Sequence, residues 1–505
     1  MHFKSLIIHP FLFAIFPIVF IFSYIPEVPI NYLALPILLV SVVIFLLLIL
    51  LKLLFKDSTK AGIMLSFLLI LVIGYEYLHT ELFGIEIEGI NVGSYITLLV
   101  PFSIIFVLGI YYLIKTKNKL NNPSTVFNIV SIALIIVVTF YTGIYNLEDP
   151  EMKYSKNLEM LLLSDVEQTN LPDIYYIILD GYAGTDSLQK HFNFDNSDFI
   201  SALSKRGFYM PSISYSNYPV TVLSVPSSLN MQYLNFLGEE LGTELTDRHP
   251  IDEILQKNLV MKNLKSKGYH IVSFHAGTSA DGSTLFVDEK LCGEKHYLNE
   301  LRDLFVRFTP ITYFIPLQSY HDKSYEILCT FSEIPNVKDG ISQPIFVYAH
   351  MLTPHIPYIF DADGNPVTFS PTTIDQSTKK KFYLEQLKFV NKKVIETVDI
   401  LLSKSQKTPI IMIQSDHGER TGIDWSNPTK EMIKQGLNNL NAYYLPNDGK
   451  NSLYDNITPV NSFRVIFNEY FNVDFELLDD KYYWVKSEER LYDQKDVTEI
   501  LNEYG

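Results

Sequence analysis

The residues best suited to chemistry fall in a few short segments, each beside an apolar run. In Ser415-Asp416-His417-Gly418-Glu419 a carboxylate and an imidazole stand side by side after Pro409-Ile-Ile-Met-Ile-Gln414. Asp and His are ligands suited to Zn²⁺ or Mn²⁺, and Gly418 is expected to let the chain turn sharply after them. A second carboxylate, Asp180, closes the run Leu171-Pro-Asp-Ile-Tyr-Tyr-Ile-Ile-Leu179 and is followed by Gly181. Two such strands side by side in a sheet lie about 5 Å apart, so Asp180 and Asp416 could share one cation. Without it, one of the two would hold its proton. The third segment, 216–231, is dense in hydroxyls, with Thr221, Ser224, Ser227 and Ser228. A hydroxyl nucleophile at a helix N-terminus gains from backbone N–H groups that receive phosphoryl oxygens. A neighbouring cation lowers its pKa. Taken singly, each segment reads equally well as a cap or a turn: Asp180 or Asp416 as an N-cap, and 216–231 as a Ser/Thr-rich loop.

The elements around these segments must bring them together. Continuous apolar runs of this length are what strands buried on both faces look like. Such runs lie at 174–179, 269–274, 344–350 and 409–414, with helical patterns near 195–206, 255–267 and 379–403. Strands alternating with helices predict a mostly parallel sheet covered on both faces. Sites in open α/β sheets lie at the carboxyl ends of the strands, which is where Asp180 and Asp416 fall.

The first third of the chain is different in kind. Five apolar stretches, roughly 5–25, 30–55, 61–80, 93–114 and 126–146, are each long enough for the ~20 residues that cross a bilayer core. The first is read as retained, because it is long and no small-residue cleavage site follows it. Lys52, Lys56 and Lys60 follow the second stretch, and Lys115, Lys117 and Lys119 follow the fourth; the loops after the first and third carry Glu27 and Glu81, Glu86 and Glu88. The positive-inside rule then gives a multi-pass cell-membrane protein with its N-terminus cytoplasmic and its C-terminal domain extracytoplasmic. Glu76 and His79 near the outer end of the third stretch are expected to hydrate at the interface. The organisation that follows is a five-helix transmembrane anchor over 1–147, a linker over 148–170 and a catalytic domain over 171–505. The 56 acidic and 40 basic residues leave a net charge of −16, which argues against nucleic acid as a partner. Two cysteines exclude a disulfide scaffold; Cys292 and Cys329 both fall in the outer part, where an oxidising compartment would allow them to pair.

Together the segments resemble the alkaline phosphatase/sulfatase superfamily, and in particular its membrane-anchored branch, the lipoteichoic acid synthases and lipid A phosphoethanolamine transferases. Thr221-Val-Leu-Ser224-Val-Pro226 is similar to the Thr-x-x-Ser-Val-Pro of the phosphoethanolamine transferases, and 415–419 to the family's Ser-Asp-His-Gly-Glu. The resemblance implies a multi-span helical membrane region followed by an α/β sulfatase-like domain. It also implies a divalent metal, zinc or manganese, held by Asp180, Thr221, Asp416 and His417, with Thr221 as the catalytic nucleophile. His350-Met-Leu-Thr-Pro-His355-Ile-Pro-Tyr358 resembles a further family segment, which implies that His355, helped by His350, binds substrate phosphate or a second metal. The expected activity is transfer of a phospholipid head group, of phosphoethanolamine or phosphoglycerol type, to an extracytoplasmic glycan or lipid acceptor. The alternatives are a phosphodiester or sulfate-ester hydrolase of the same fold and an inactive membrane scaffold. The sulfatases' Cys/Ser-x-Pro-x-Arg motif is absent at Thr221, which disfavours sulfate-ester hydrolysis through formylglycine. No later His stands at the usual position for a second metal site.

Overall fold

The computed structural model describes residues 6–23, 33–82, 85–87, 90–147, 161–163, 171–274, 285–292, 319–367 and 375–502. They form two compact units, one helical and one α/β.

The N-terminal unit contains α1 (His9–Ser23), α2 (Ala34–Phe55), α3 (Ser58–Leu82), α4 (Tyr95–Lys115) and α5 (Asn121–Leu147), with a two-stranded ribbon, β1 (Glu86–Ile87) and β2 (Ile90–Asn91), between α3 and α4. Among the described residues, four helices are long and apolar enough to cross a membrane: 34–55, 58–79, 95–115 and 121–140. The first expected span is described as the 15-residue α1, and residues 24–32, Glu27 included, lie outside the described set. Exposed Leu, Ile, Val and Phe cover α2, α4 and α5, as a lipid-facing surface requires. Glu76 differs from the sequence reading: it is buried and accepts a hydrogen bond from Tyr95 Oη at 3.0 Å, while the His79 ring stacks on Tyr95. The neighbouring helix supplies a polar partner to Glu76.

In the C-terminal unit the chain runs β3 (Ile174–Leu179), α6 (Thr185–Phe192), α7 (Ser197–Lys205), α8 (Thr221–Asn230), α9 (Phe236–Leu241), α10 (His249–Gln256) and α11 (Leu259–Ser266). It continues through β4 (His270–Phe274), β5 (Glu289–Leu291), α12 (Ser319–Glu333), β6 (Ile345–Met351), α13 (Gln376–Lys404) and β7 (Ile410–Gln414). The last elements are α14 (Lys430–Leu437), β8 (Asn441–Tyr444), α15 (Pro459–Phe471), β9 (Tyr483–Val485), β10 (Gln494–Asp496) and α16 (Thr498–Asn502). Six strands form one sheet in the order β5-β4-β6-β3-β7-β8. Every pairing is parallel except β7 with the edge strand β8. The amphipathic segment read near 255–267 is two helices, α10 and α11, separated at Lys257-Asn258, where the Asn258 side chain caps α11 by accepting from Met261 N.

Successive residues of a strand point to opposite faces, and both faces of this sheet are buried. Tyr175, Ile177 and Leu179 of β3 pack with Leu387, Val390 and Val394 of α13 on one face. Ile174, Tyr176 and Ile178 pack with Val225 and Leu229 of α8 and Phe463 and Phe467 of α15 on the other. This double burial is why the strands read as unbroken apolar runs. Truncating a core side chain such as Leu387 to Ala would cost about 2–5 kcal/mol. The same alternation sets the site: Phe346 and Tyr348 lie on the α8 face, so His350 follows them there, and Ile410 and Met412 do so for β7.

Candidate metal and phosphoryl-transfer site

Register, rather than loop geometry, brings the two carboxylates together. Ile174 of β3 pairs with Ile410 of β7, and the parallel ladder runs on to Ile178 and Gln414. Continued two residues further, that register sets Asp180 opposite Asp416. On its other side β3 pairs with β6, Ile178 opposite His350. Three chemistry-bearing residues thus reach one sheet edge from three adjacent strands. Oxygen or nitrogen atoms of Asp180, His350 and Asp416 lie within 4.8 Å of one another, as do those of Asp180, His355 and His417.

The turn after β3 is held from several sides. Gly181 N donates to Asp416 Oδ1 at 3.1 Å, Tyr182 N to Ser415 Oγ at 2.8 Å, and His355 N to Asp180 O at 3.0 Å. Gly181 has φ +65°, and a Cβ there would lie 3.1 Å from His355 Cδ2, so both backbone and space call for glycine. Gly418 is needed for another reason than the sharp turn read from sequence. Its φ is not left-handed; instead a Cβ would lie 2.2 Å from Gln435 O, against the C-terminal end of α14.

Thr221 is the first residue of α8 and its Oγ1 donates to Asp416 Oδ2 at 2.6 Å. The N-cap is Val220, which has no side chain able to cap. Asp375, Asn258 and Thr429 cap α13, α11 and α14 with their side chains, whereas α6, α7, α9, α10 and α15 share the uncapped start of α8. Leu223 N and Ser224 N donate to Val220 O, and no N-cap side chain receives the Thr221 and Val222 N–H groups, which stand at the helix end that favours an anion. Ser224, one turn on, donates to Asp416 O at 2.5 Å and ties α8 to the end of β7.

The histidine tautomers follow from their backbone partners. His417 Nδ1 lies 2.7 Å from Gly418 O and so carries the proton, which leaves the Nε2 lone pair facing Asp180 Oδ1 and Asp416 Oδ2, each at 3.4 Å. Three electron-rich atoms converge with no proton between them. Asp180 Oδ1 and His417 Nε2 are buried and have no hydrogen-bonding partner among the described residues. Burial, and then the positive charge of Arg420, keep the His417 pKa below its ordinary value, so the ring is neutral. Burial raises Asp180, but neighbouring His355 and a hydrogen bond from His350 outweigh it and hold its carboxyl well below the usual range. An anionic carboxylate, a neutral imidazole aimed inward and a backbone-fixed tautomer are the donor set a divalent cation takes. The residues present fit a metal.

His355 Nδ1 likewise lies 2.6 Å from Ile356 O, and its Nε2 accepts from Arg420 Nη2 at 3.2 Å. The His355 ring is 5.9 Å from the His417 ring, centroid to centroid. His350 is fully buried, its Nε2 3.5 Å from Asp180 Oδ2. All six residues singled out in the sequence therefore lie around one point: Asp180, Thr221, Asp416 and His417 meet directly, His350 adjoins Asp180, and His355 borders the group. The sequence reading missed several neighbours. Buried Gln386 of α13 accepts from Ile359 N at 2.7 Å and donates to His355 O at 3.1 Å, clamping the His355 loop. Arg420 flanks His355, and Glu419, its carboxyl pKa raised by burial, accepts from Thr421 N and Thr421 Oγ1. Arg464, near the chain end, donates to Met231 O and Glu476 O and is a packing residue.

The sulfatase family model matches residues 172–463, more than half of the chain. The chain belongs to the sulfatase family. Solved structures are similar to the chain at low identity. The C-terminal periplasmic domain of EcEptC from Escherichia coli is 14% identical over 66% of this chain and 96% of that one, with a TM-score of 0.41. Its zinc complex gives 13%, 66%, 96% and 0.43. The integral membrane lipooligosaccharide phosphoethanolamine transferase A from Neisseria meningitidis is 13% identical over 75% of this chain and 69% of that one, with a TM-score of 0.42. No curated protein matches the chain.

Proposed function

We propose that this sulfatase-family protein is a membrane-bound, metal-dependent phosphotransferase. It would move a phospholipid-derived head group, of phosphoethanolamine or phosphoglycerol type, through a covalent Thr221 intermediate to an extracytoplasmic glycan or lipid acceptor. The observation that carries this reading is Thr221 itself: a hydroxyl at the uncapped start of α8, hydrogen-bonded at 2.6 Å to a carboxylate of the converging Asp/His group.

Asp180, Thr221, Asp416 and His417 would hold the metal, zinc or manganese; when bound, it neutralises phosphoryl oxygens and favours the ionised hydroxyl. The chain's own residues do the rest. The Thr221 proton points at Asp416 Oδ2, which leaves an Oγ1 lone pair for phosphorus. The new bond joins Oγ1 to phosphorus, the bond from phosphorus to the lipid alcohol breaks, and the alcohol departs with the proton. The first N–H groups of α8 receive the non-bridging oxygens. His355 borders this space as a substrate-binding residue. His350, buried against Asp180, orients that carboxylate. In the second half-reaction an acceptor hydroxyl attacks the same phosphorus and Thr221 is regenerated.

The four long apolar helices support a membrane lipid as donor, since they confine enzyme and lipid to one surface. Lysines in the loops after α2 and α4 support a cytoplasmic N-terminus, and the Cys292–Cys329 disulfide supports an oxidising, extracytoplasmic location for the C-terminal unit. The test is a turnover assay with a phosphatidylethanolamine or phosphatidylglycerol donor, with and without added alcohol acceptors. Capture of head group by the alcohol supports a transferase; release to water alone regardless of acceptor would support the hydrolase alternative.

A further inference from the structure

Arg420 immediately follows the Ser-Asp-His-Gly-Glu segment, and no metal or nucleophile role uses it. Its side chain is mostly buried at the border of the site. Nη2 donates to His355 Nε2 at 3.2 Å; Nη1 donates to Pro219 O at 3.2 Å and to Glu488 Oε1 at 3.0 Å. The guanidinium lies 5.4 Å from the centroid of the Trp425 ring, which keeps it in place as a flat face would. It therefore bridges the loop that carries His355 and the turn two residues before Thr221.

A guanidinium has five N–H donors in a fork that matches phosphate oxygens. The contacts above use three of them. The Nε–H and one Nη2–H have no partner among the described residues. The only anionic partner of Arg420 among those residues is Glu488, whose side chain is 66% exposed and so is weakly committed to the pair.

We propose that Arg420 is a substrate-binding residue that receives a non-bridging oxygen of the transferred phosphoryl group, and that Glu488 is the exchangeable counter-ion it holds until then. This rests on the phosphoryl-transfer reading of the site. It adds a cation from the protein to the side of the pocket formed by His355 and the residues before Thr221. It also makes the pocket selective for an anionic phosphoryl centre over a neutral ester of the same shape.

The test is binding of inorganic phosphate to the zinc-loaded full-length protein in detergent, in a Thr221→Ala background so that no turnover interferes. Titration calorimetry gives the affinity and elemental analysis the zinc content. Arg420→Ala should weaken phosphate binding by about 10- to 100-fold, the range of a charge-assisted hydrogen bond, with zinc content unchanged. Arg420→Lys should fall between, keeping the charge but not the fork. Glu488→Gln should tighten phosphate binding by up to about 5-fold, because the exposed pair no longer competes. A purely structural Arg420–Glu488 pair predicts the reverse sign or no change for Glu488→Gln. Equal phosphate affinity in Arg420→Ala and its parent, at equal zinc content, would overturn the proposal and leave the phosphotransferase reading standing. Absence of phosphate binding in every variant, with one zinc retained per chain, would overturn both.

Discussion

Asp180 and Asp416 present their carboxylates from neighbouring parallel strands, with His417 Nε2 3.4 Å from an oxygen of each. Two carboxylates and an imidazole lone pair in one buried place repel unless a cation or a proton lies between them. This relationship gives opposite signs for metal-free and metal-loaded protein. Asp416→Asn should lose zinc or manganese affinity by more than the roughly 10- to 100-fold typical of an outer-sphere partner. In metal-free protein the same substitution relieves repulsion, so its melting temperature should equal or exceed that of the metal-free parent. Elemental analysis and thermal melts with and without metal check both.

The pH response follows from His417. Burial, then Arg420, lower its pKa, so the ring stays neutral below the ordinary imidazole value of about 6.5. Protons therefore compete with metal only at lower pH. Zinc affinity should stay flat as pH falls through 6.5 and drop beneath it. Arg420→Ala removes one lowering influence, so the drop should begin at a higher pH. Equilibrium zinc binding between pH 5 and 8 reads both shifts.

Gly181→Ala should separate substrate binding from metal binding. The substitution forces φ +65° on an L-residue, at about 1–2 kcal/mol, and places a Cβ 3.1 Å from His355 Cδ2. Displacing His355 should raise KM for a water-soluble phosphodiester several-fold while bound metal per chain stays the same. Steady-state kinetics beside elemental analysis checks this.

Cys292 and Cys329 are bonded across a sequence separation of 37, joining the residue after the edge strand β5 to α12. Cys329→Ser should destabilise the C-terminal unit by about 2–4 kcal/mol. Because the bond lies at the opposite edge of the sheet from β7, metal content should be unaffected. Denaturant midpoints of the variant and of the reduced parent should fall together.

Much of this site was legible because its residues terminate strands. The runs before Asp180 and Asp416 are apolar on both faces, which marks buried parallel strands, and strand ends in such sheets converge on one edge. His350 and His355 were legible from their segment, as was the hydroxyl at the start of α8. The residues that escaped notice act through tertiary contacts with no local signature. Gln386 lies mid-helix in α13, where a polar residue reads as solvent-facing, yet it clamps the loop 353–360. Ser224 reads as one hydroxyl among several until its bond to Asp416 O is seen. Arg420 reads as a charge following a motif, and only the fold brings His355, Pro219 and Glu488 around it. Gly418 was read as a turn residue because glycine has two uses, and sequence does not distinguish positive φ from close approach.

Head-group transfer by this site depends on a covalent bond from Thr221 Oγ1 to phosphorus. Intact mass spectrometry of the full-length protein in mixed-lipid bilayers, with zinc or manganese present and Thr221→Ala as control, tests it directly. A mass increment is expected on the parent alone, equal to a phosphorylated head group and lost when an alcohol acceptor is added. The same increment on Thr221→Ala, or none on the parent while it turns over donor lipid, would contradict it.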